Sequence, residues 1–469
     1  MAAMSKGKQY SFFVGGALVM MAMTLSSFGI STITPGLLTK FDALQHFTLT
    51  NLMASIGMLL FLPIVGKLTD SVGRKPLLII GGGISLIASI AAGFATNFPF
   101  FLVMRALITV GTACLAPVPS ATLPFIFERS KLPQLYGIQG TFLALGSFFG
   151  STIAGFFSDR GVAWAAAAYP GVLLFLGALI MFILCPEVPR KPMPSIDFGG
   201  MVLIFFIVGP LMYVASFANR VGWGDSMILG MLVVMVIAFV CFITLEKRVR
   251  SPLVDIVLFK NPIFTGALIS TFLMTWYQAG MRTYVPLFIQ SGMGLSATVS
   301  GSVLLPRSIL NIIFPTICGA WIAKNQKARC WQGVLFTGIL IAAGNATLCF
   351  IKPSTSLMVF FVGLGLTGIA ESFKQASVTP VLQTSLTAEN MGSGMSLNSM
   401  IGTMGSTVGS CVFGVVFDRI APDTGIVTNL TAATNAVFMV SAITGVIVVV
   451  VAFFLIRPKK VEDDVQPAA

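Results

Sequence analysis

The stretch Gly66-Lys67-Leu68-Thr69-Asp70-Ser71-Val72-Gly73-Arg74-Lys75 separates two long apolar runs, residues 49–65 and 76–96. It holds four charged side chains, Lys67 and Asp70 between the glycines and Arg74 and Lys75 just after them, and reads as a short, charged, glycine-bracketed turn. Glycine tolerates backbone angles and close approaches that other residues do not. The flanking runs are near the roughly 20 apolar residues that a helix needs to cross a hydrocarbon layer about 30 Å thick. The decapeptide therefore reads as the polar connection between two membrane helices.

The rest of the chain repeats that alternation. Of 469 residues, 56% are hydrophobic and 9% charged, with mean hydropathy +0.94. Soluble domains carry about 25% charged residues, so a water-soluble globule is excluded. Polar breaks divide the chain into fourteen apolar runs near 11–37, 49–65, 76–96, 99–126, 136–158, 163–185, 198–217, 226–245, 262–290, 296–320, 331–351, 355–382, 391–416 and 432–456. The first is too long for the apolar core of a cleavable signal peptide. The net charge of +12 invites a nucleic-acid reading, but its distribution opposes one. With both termini placed inside, nineteen of 28 Lys and Arg residues fall in inner segments and five (Lys40, Arg160, Arg220, Lys352, Arg419) in outer ones. That is the positive-inside bias of a membrane protein, and it requires an even number of spans.

The expected fold is an all-α integral membrane protein with fourteen transmembrane helices: two six-helix bundles and an inserted helix pair. The boundaries read as 1–186 for the first bundle, 187–260 for the inserted hairpin with its flanking segments, 261–456 for the second bundle and 457–469 for a cytoplasmic tail. The stretch Gly319–Arg329 echoes the decapeptide at the matching inner loop of the second half, with Ala323 where the first copy has aspartate. Decayed internal repeats of this kind accompany duplicated membrane bundles.

The decapeptide, as G-x-x-x-D-x-x-G-R-K between two spans, resembles the cytoplasmic loop signature of the major facilitator superfamily. Arg105–Gly111 is similar to the family's R-x-x-Q-G-x-G, with Ile108 and Thr109 departing from it. Gly146–Ser151 stands where exporters of the family show G-P-x-x-G-G, and Ser147 replaces the proline. Ile196–Gly200 and Ser251–Asp255 look like the extra helix pair of the fourteen-span drug:proton antiporter-2 branch. The resemblance implies alternating access in the cell membrane, as in a bacterial inner membrane, with both termini cytoplasmic. It also implies a gating loop in which Gly66 and Gly73 allow close packing, Asp70 meets a helix N-terminus of the opposite bundle, and Arg74 joins the same inner gate.

Ionisable side chains within spans are costly and mark pathways or pairs. Five stand out: Arg105, Arg282, Arg307, Glu371 and Lys374. Glu371 and Lys374 are three apart and share a helix face, which suits either an internal salt bridge or a proton or substrate role. Glu371 is the acidic residue placed nearest the middle of a span, so proton coupling points to it, with Arg105 as a relay partner. Arg282, Arg307, Lys374, Tyr277 and Gln278 are read as substrate cavity. Four basic groups against one acid favour an anionic ligand, since guanidinium suits bidentate contact with oxyanions. Snorkelling of Arg105 and Arg282 to the interface is the alternative. Residues 11–37 contain no acid, unlike many exporters of cationic drugs in the branch.

Other features carry little chemistry. The seven cysteines lack C-x-x-C spacing, so neither a disulfide nor a metal site is expected, and His46 reads as a solvated loop residue. Gly363–Gly368 matches G-x-G-x-x-G but lies inside an apolar run without the strand that nucleotide binding requires. No cofactor and no catalytic residue is expected. The reading is a non-enzymatic secondary transporter, a monomer among membrane lipids, moving a small amphipathic organic compound by proton-coupled export. Proton-coupled uptake of an organic anion, a non-transporting receptor on the same fold, and the membrane part of an ATP-driven pump are its rivals.

Overall fold

The computed structural model describes residues 5–41, 47–160, 163–185, 198–249, 256–295, 297–387, 390–421 and 427–457. His46 and the limits at 186 and 187 lie outside the described residues. The elements are α1 (Lys6–Lys40), α2 (Phe47–Ser71), α3 (Arg74–Gly93), α4 (Phe98–Leu115), α5 (Val118–Ile126), α6 (Leu132–Asp159), α7 (Ala163–Leu184), α8 (Phe198–Val221), α9 (Ser226–Glu246), α10 (Pro262–Leu287), α11 (Ala297–Val303), α12 (Leu305–Ala323), α13 (Gln326–Ala346), α14 (Leu357–Thr384), α15 (Met391–Ile420) and α16 (Val427–Val451). Short 3-10 or π turns adjoin several of them.

Two spans are each broken once, so these sixteen helices form fourteen crossings. The α4–α5 break falls at Ala116 and Pro117, and the α11–α12 break at Leu304, just before Pro306. Proline has no N–H to continue a helical ladder and clashes with the preceding turn. Among the described residues, eight helices are long and apolar enough to cross a membrane by length and composition.

The decapeptide is not the turn that its charges suggest. α2 runs through Ser71, and only Val72 and Gly73 leave the helix before Arg74 opens α3. The amides of Val72 and Gly73 both donate to the Leu68 carbonyl, at 2.9 and 3.2 Å. Gly73 then takes φ +98°, a left-handed angle that a side chain would oppose. Charge marked the polar tip of the helix, while one glycine makes the reversal. The echo at 319–329 behaves likewise: Lys324 and Asn325 separate α12 from α13, and the Asn325 side chain caps α13 by accepting from the Ala328 amide at 3.2 Å.

Six spans lie on either side of the α8–α9 pair. In the first half, α1 packs on α6 and α7, and α3 on α4 and α7; in the second, α13 packs on α14 and α16, and α10 on α15 and α16. α8 lies along the seam, with Ile204 and Val208 against Leu59 of α2 and Met400 and Met404 of α15. α9 rests on α8 and leaves Leu229, Val233, Val236, Ile237 and Val240 exposed. Such an uncovered apolar face suits lipid rather than water.

The halves meet most closely toward the end that carries the 72–73 turn. A Cβ at Gly137 of α6 would strike the Pro315 carbonyl oxygen of α12, and one at Gly319 the Pro133 carbonyl oxygen. A Cβ at Gly66 would lie 2.8 Å from the Ser396 side chain of α15. The Thr141 hydroxyl donates to the Ile312 carbonyl at 2.8 Å. Gly146 and Gly150, in contrast, face Met21, Thr24 and Leu25 of α1 within the first half. Close packing at Gly146-Ser147 is therefore not aimed at the second half, and the Ser147 hydroxyl bonds back to the Ala144 carbonyl at 2.8 Å.

Candidate functional site

Between the halves, above the turn-end contacts, lies a cavity of about 220 Å³. α14 supplies Glu371, Lys374, Gln375, Val378 and Thr379, an i, i+3, i+4, i+7, i+8 set that shares one helical face. α6 contributes Tyr136, Gln139 and Leu143, α1 Met20, α5 Ser120, α10 Thr271 and α15 Asn398. Both halves thus wall the same space.

Glu371 anchors the polar side of this cavity. Its Oε1 accepts from Lys374 Nζ at 3.0 Å, and its Oε2 accepts from the Gln278 side-chain amide of α10. Glu371 and Lys374 side chains are 11% and 16% exposed. Breaking such a covered pair by removing one partner typically costs about 3–5 kcal/mol, because it strands the other charge. Gln278 also accepts from Arg282 Nη2 at 3.4 Å. Lys374, Glu371, Gln278 and Arg282 consequently form one polar chain from the cavity toward the far end of the cleft.

Arg282 is exposed, and its guanidinium lies 5.4 Å from the centre of the Phe28 ring on α1. It therefore reaches from the second half to the first. Arg307 of α12 is half-buried, with its backbone pressed against Gly368 of α14: a Cβ there would come within 2.6 Å of the Arg307 carbonyl oxygen. Tyr277 is fully buried in the second-half core, so it backs the wall rather than lining it.

Arg105 stands apart from this group. It is 6% exposed on α4, its Nε is buried without a partner among the described residues, and no hydrogen bond or ion pair joins it to Glu371. The expected relay between them is not assembled here, because α4 packs on α2 and α3 while Glu371 faces α10 and α6.

At the turn end, Gly66 meets the first helical turns of α15 at Ser393 and Ser396. Arg74 is buried, with its guanidinium 4.4 Å from the centre of the Phe125 ring on α5. Asp70 is carried on the last turn of α2, and its side chain lies outside the described residues.

A second polar group, which a search for ionisable residues passes over, closes the cavity floor. The Tyr136 hydroxyl of α6 lies 2.7 Å from Gln383 Oε1 of α14 and 2.9 Å from the Ser120 carbonyl oxygen of α5. Gln383 Nε2 donates to the same Ser120 oxygen at 3.1 Å. All three residues are buried. Uncharged polar residues inside apolar runs were the available signal, since buried amides and hydroxyls need partners.

Two bundle-like halves around a shared, polar-lined cavity, joined by a paired helix hairpin, agree with one family. A profile for the Major Facilitator Superfamily matches residues 12–410. The chain belongs to the Major Facilitator Superfamily. It is 24% identical over 417 residues to Multidrug resistance protein 3 of Bacillus subtilis (strain 168), covering 88% of this chain and 80% of that protein. It is 28% identical over 428 residues to the MFS-type transporter YvkA of the same organism, covering 88% and 92%. Lincomycin resistance protein LmrB of Listeria monocytogenes is 25% identical over 360 residues, 74% and 75% of the two chains. Among solved structures, the human organic anion transporter MFSD10 superposes with TM-score 0.64 at 14% identity, covering 93% of this chain and 98% of that one. A bacterial homologue of the iron transporter ferroportin gives 0.61 at 14% identity, covering 94% and 99%. At these identities the structures establish the fold. This facilitator-superfamily chain is thus a membrane transporter by family.

Proposed function

We propose that this protein exports small amphipathic organic compounds in exchange for protons, and that Glu371 is the group that carries the proton. The observation behind this reading is the position of Glu371: a carboxylate on the wall of a cavity shared by both halves, held by Lys374 and Gln278. The names of relatives, several of them multidrug or lincomycin resistance proteins, support export and a permissive substrate range.

Charged, Glu371 neutralises Lys374 and fixes Gln278. Protonated, it gives up the ion pair and leaves a covered ammonium without compensation, which is costly. The two protonation states therefore favour different arrangements of α14 against α10, and a ligand that prefers one arrangement shifts the equilibrium by its difference in affinity. In this reading a proton arriving through the open far end loosens the polar chain, substrate leaves, and the halves rock to open the turn end. The turn end is taken as cytoplasmic in a bacterial inner membrane, with both termini on that side, as the basic inner segments favour. The rocking units are 1–186 and 261–456, with the 187–260 segment riding on the seam, and one chain suffices.

The test uses purified protein in liposomes with an imposed pH gradient and a fluorescent amphiphile. Glu371→Gln should abolish gradient-driven accumulation while leaving substrate exchange. Full accumulation by that variant would remove Glu371 from the coupling step, and accumulation only under the reverse gradient would turn export into uptake.

A further inference from the structure

The cleft contains more positive charge than its carboxylate can offset. Glu371 is paired with Lys374 at 3.0 Å. Among the described residues neither Arg282 nor Arg307 has a carboxylate within ion-pair distance. α1, which faces Arg282 through Phe28, has no acidic residue anywhere along its length. Arg282 makes one long hydrogen bond, 3.4 Å to Gln278, which leaves most of its five N–H donors for another partner. Arg307 of the neighbouring α12 has its backbone against Gly368, one helical turn from Glu371 on α14. A guanidinium in a partly covered cleft with donors to spare, and a second one on the adjacent helix, are stabilised by an anion that both can reach.

The neighbourhood also defines the rest of such a ligand. The Phe28 ring lies beside Arg282 from the opposite half, and Met20 and Leu143 line the cavity below it. A charged head on the arginines and an aromatic or alkyl body against the first-half wall would satisfy both surfaces. The amphiphile would touch both halves while the turn end is closed.

We infer that Arg282, assisted by Arg307, is an anion seat, and that the substrates of this transporter include organic anions whose apolar body packs against Phe28. The inference rests on the transport reading above and adds the charge of the substrate to it. Because Gln278 bonds to both Arg282 and Glu371, an anion drawing on Arg282 also bears on the amide that holds the carboxylate.

The test compares 2-naphthalenesulfonate with the cation of matched body, 2-naphthyl-trimethylammonium, by calorimetric binding to the full protein in lipid nanodiscs. Wild type should bind the sulfonate at least about tenfold more tightly. Arg282→Gln should weaken sulfonate binding by roughly tenfold to a hundredfold, the range for a charge-assisted hydrogen bond, and leave the cation unchanged or tighter. Arg282→Lys should recover part of the loss, which separates the seat from a folding defect, and Phe28→Leu should weaken both probes alike. Equal losses for both probes in Arg282→Gln, or a wild type that prefers the cation, would overturn the inference. Gradient-driven flux of the cation by a protein that ignores the sulfonate would overturn it while sparing the export reading. Sulfonate binding without gradient-driven flux of either probe would spare the seat and sink the export reading.

Discussion

Tyr136→Phe removes one oxygen and isolates the energy that keeps the turn end shut. The hydroxyl lies 2.7 Å from Gln383 Oε1 across the two halves and 2.9 Å from the Ser120 carbonyl within the first. Its single proton serves both contacts, and Gln383 stays bonded to Ser120 through its Nε2 at 3.1 Å. Loss of the hydroxyl leaves Gln383 Oε1 buried without that donor, at a cost of about 1–3 kcal/mol. When the halves part at this end, water solvates the amide, so the cost falls almost wholly on the closed arrangement. At about 1.4 kcal/mol per tenfold, the equilibrium should move toward turn-end opening by roughly fivefold to 150-fold. The assay is the reaction rate of a reporter cysteine at Thr379, a cavity residue on α14, with a membrane-impermeant maleimide supplied at the turn end. The seven native cysteines are replaced first. The rate should rise by a factor within that range until labelling saturates. Adding Gln383→Leu to Tyr136→Phe should raise it less than Gln383→Leu does alone, since contacting residues are not additive. An unchanged rate, or strictly additive effects, would refute the idea that this group latches the halves.

Three further substitutions probe neighbouring features. Gly319→Ala puts a methyl into the Pro133 backbone, and an overpacked contact with no flexible side chain to yield costs about 1–3 kcal/mol; the Thr379 reporter should again react faster from the turn end. Gly209→Ala on α8, where a Cβ meets nothing within 4 Å, should leave both labelling and melting temperature unchanged or slightly raise the latter through better helix propensity. Asp225→Ala removes the carboxylate that accepts from the Met227 and Ile228 amides at 2.9 and 3.3 Å, a cap worth about 1 kcal/mol. Thermal unfolding should begin at lower temperature while transport persists, because α9 rests on α8 and contributes nothing to the cavity.

Span number was legible because hydrophobic length is a local property. Each crossing needs its own run of apolar residues, whatever its neighbours do. The Glu371–Lys374 pair was legible for a similar reason: residues three apart on a helix are neighbours by construction. The charges of the decapeptide suggest a longer turn than the chain makes, since charge density marks where a helix reaches polar surroundings and says less about where its hydrogen bonds stop. Gly73 alone supplies the left-handed angle, and Ser71 is still helical.

A multi-span membrane chain with charges to be housed inside it follows from the residues alone, because lipid imposes the same demand on every residue along each run. Which charges meet depends on how the helices pack. Gln278 reaches Glu371 from 93 positions away, and Tyr136 reaches Gln383 from 247; Arg105, equally conspicuous as an intramembrane charge, stays on another helix face. Partnership across a cleft depends on how whole helices cross and rotate. That is fixed by the fit of glycines such as Gly137 and Gly319 against facing backbone, and no local pattern encodes it.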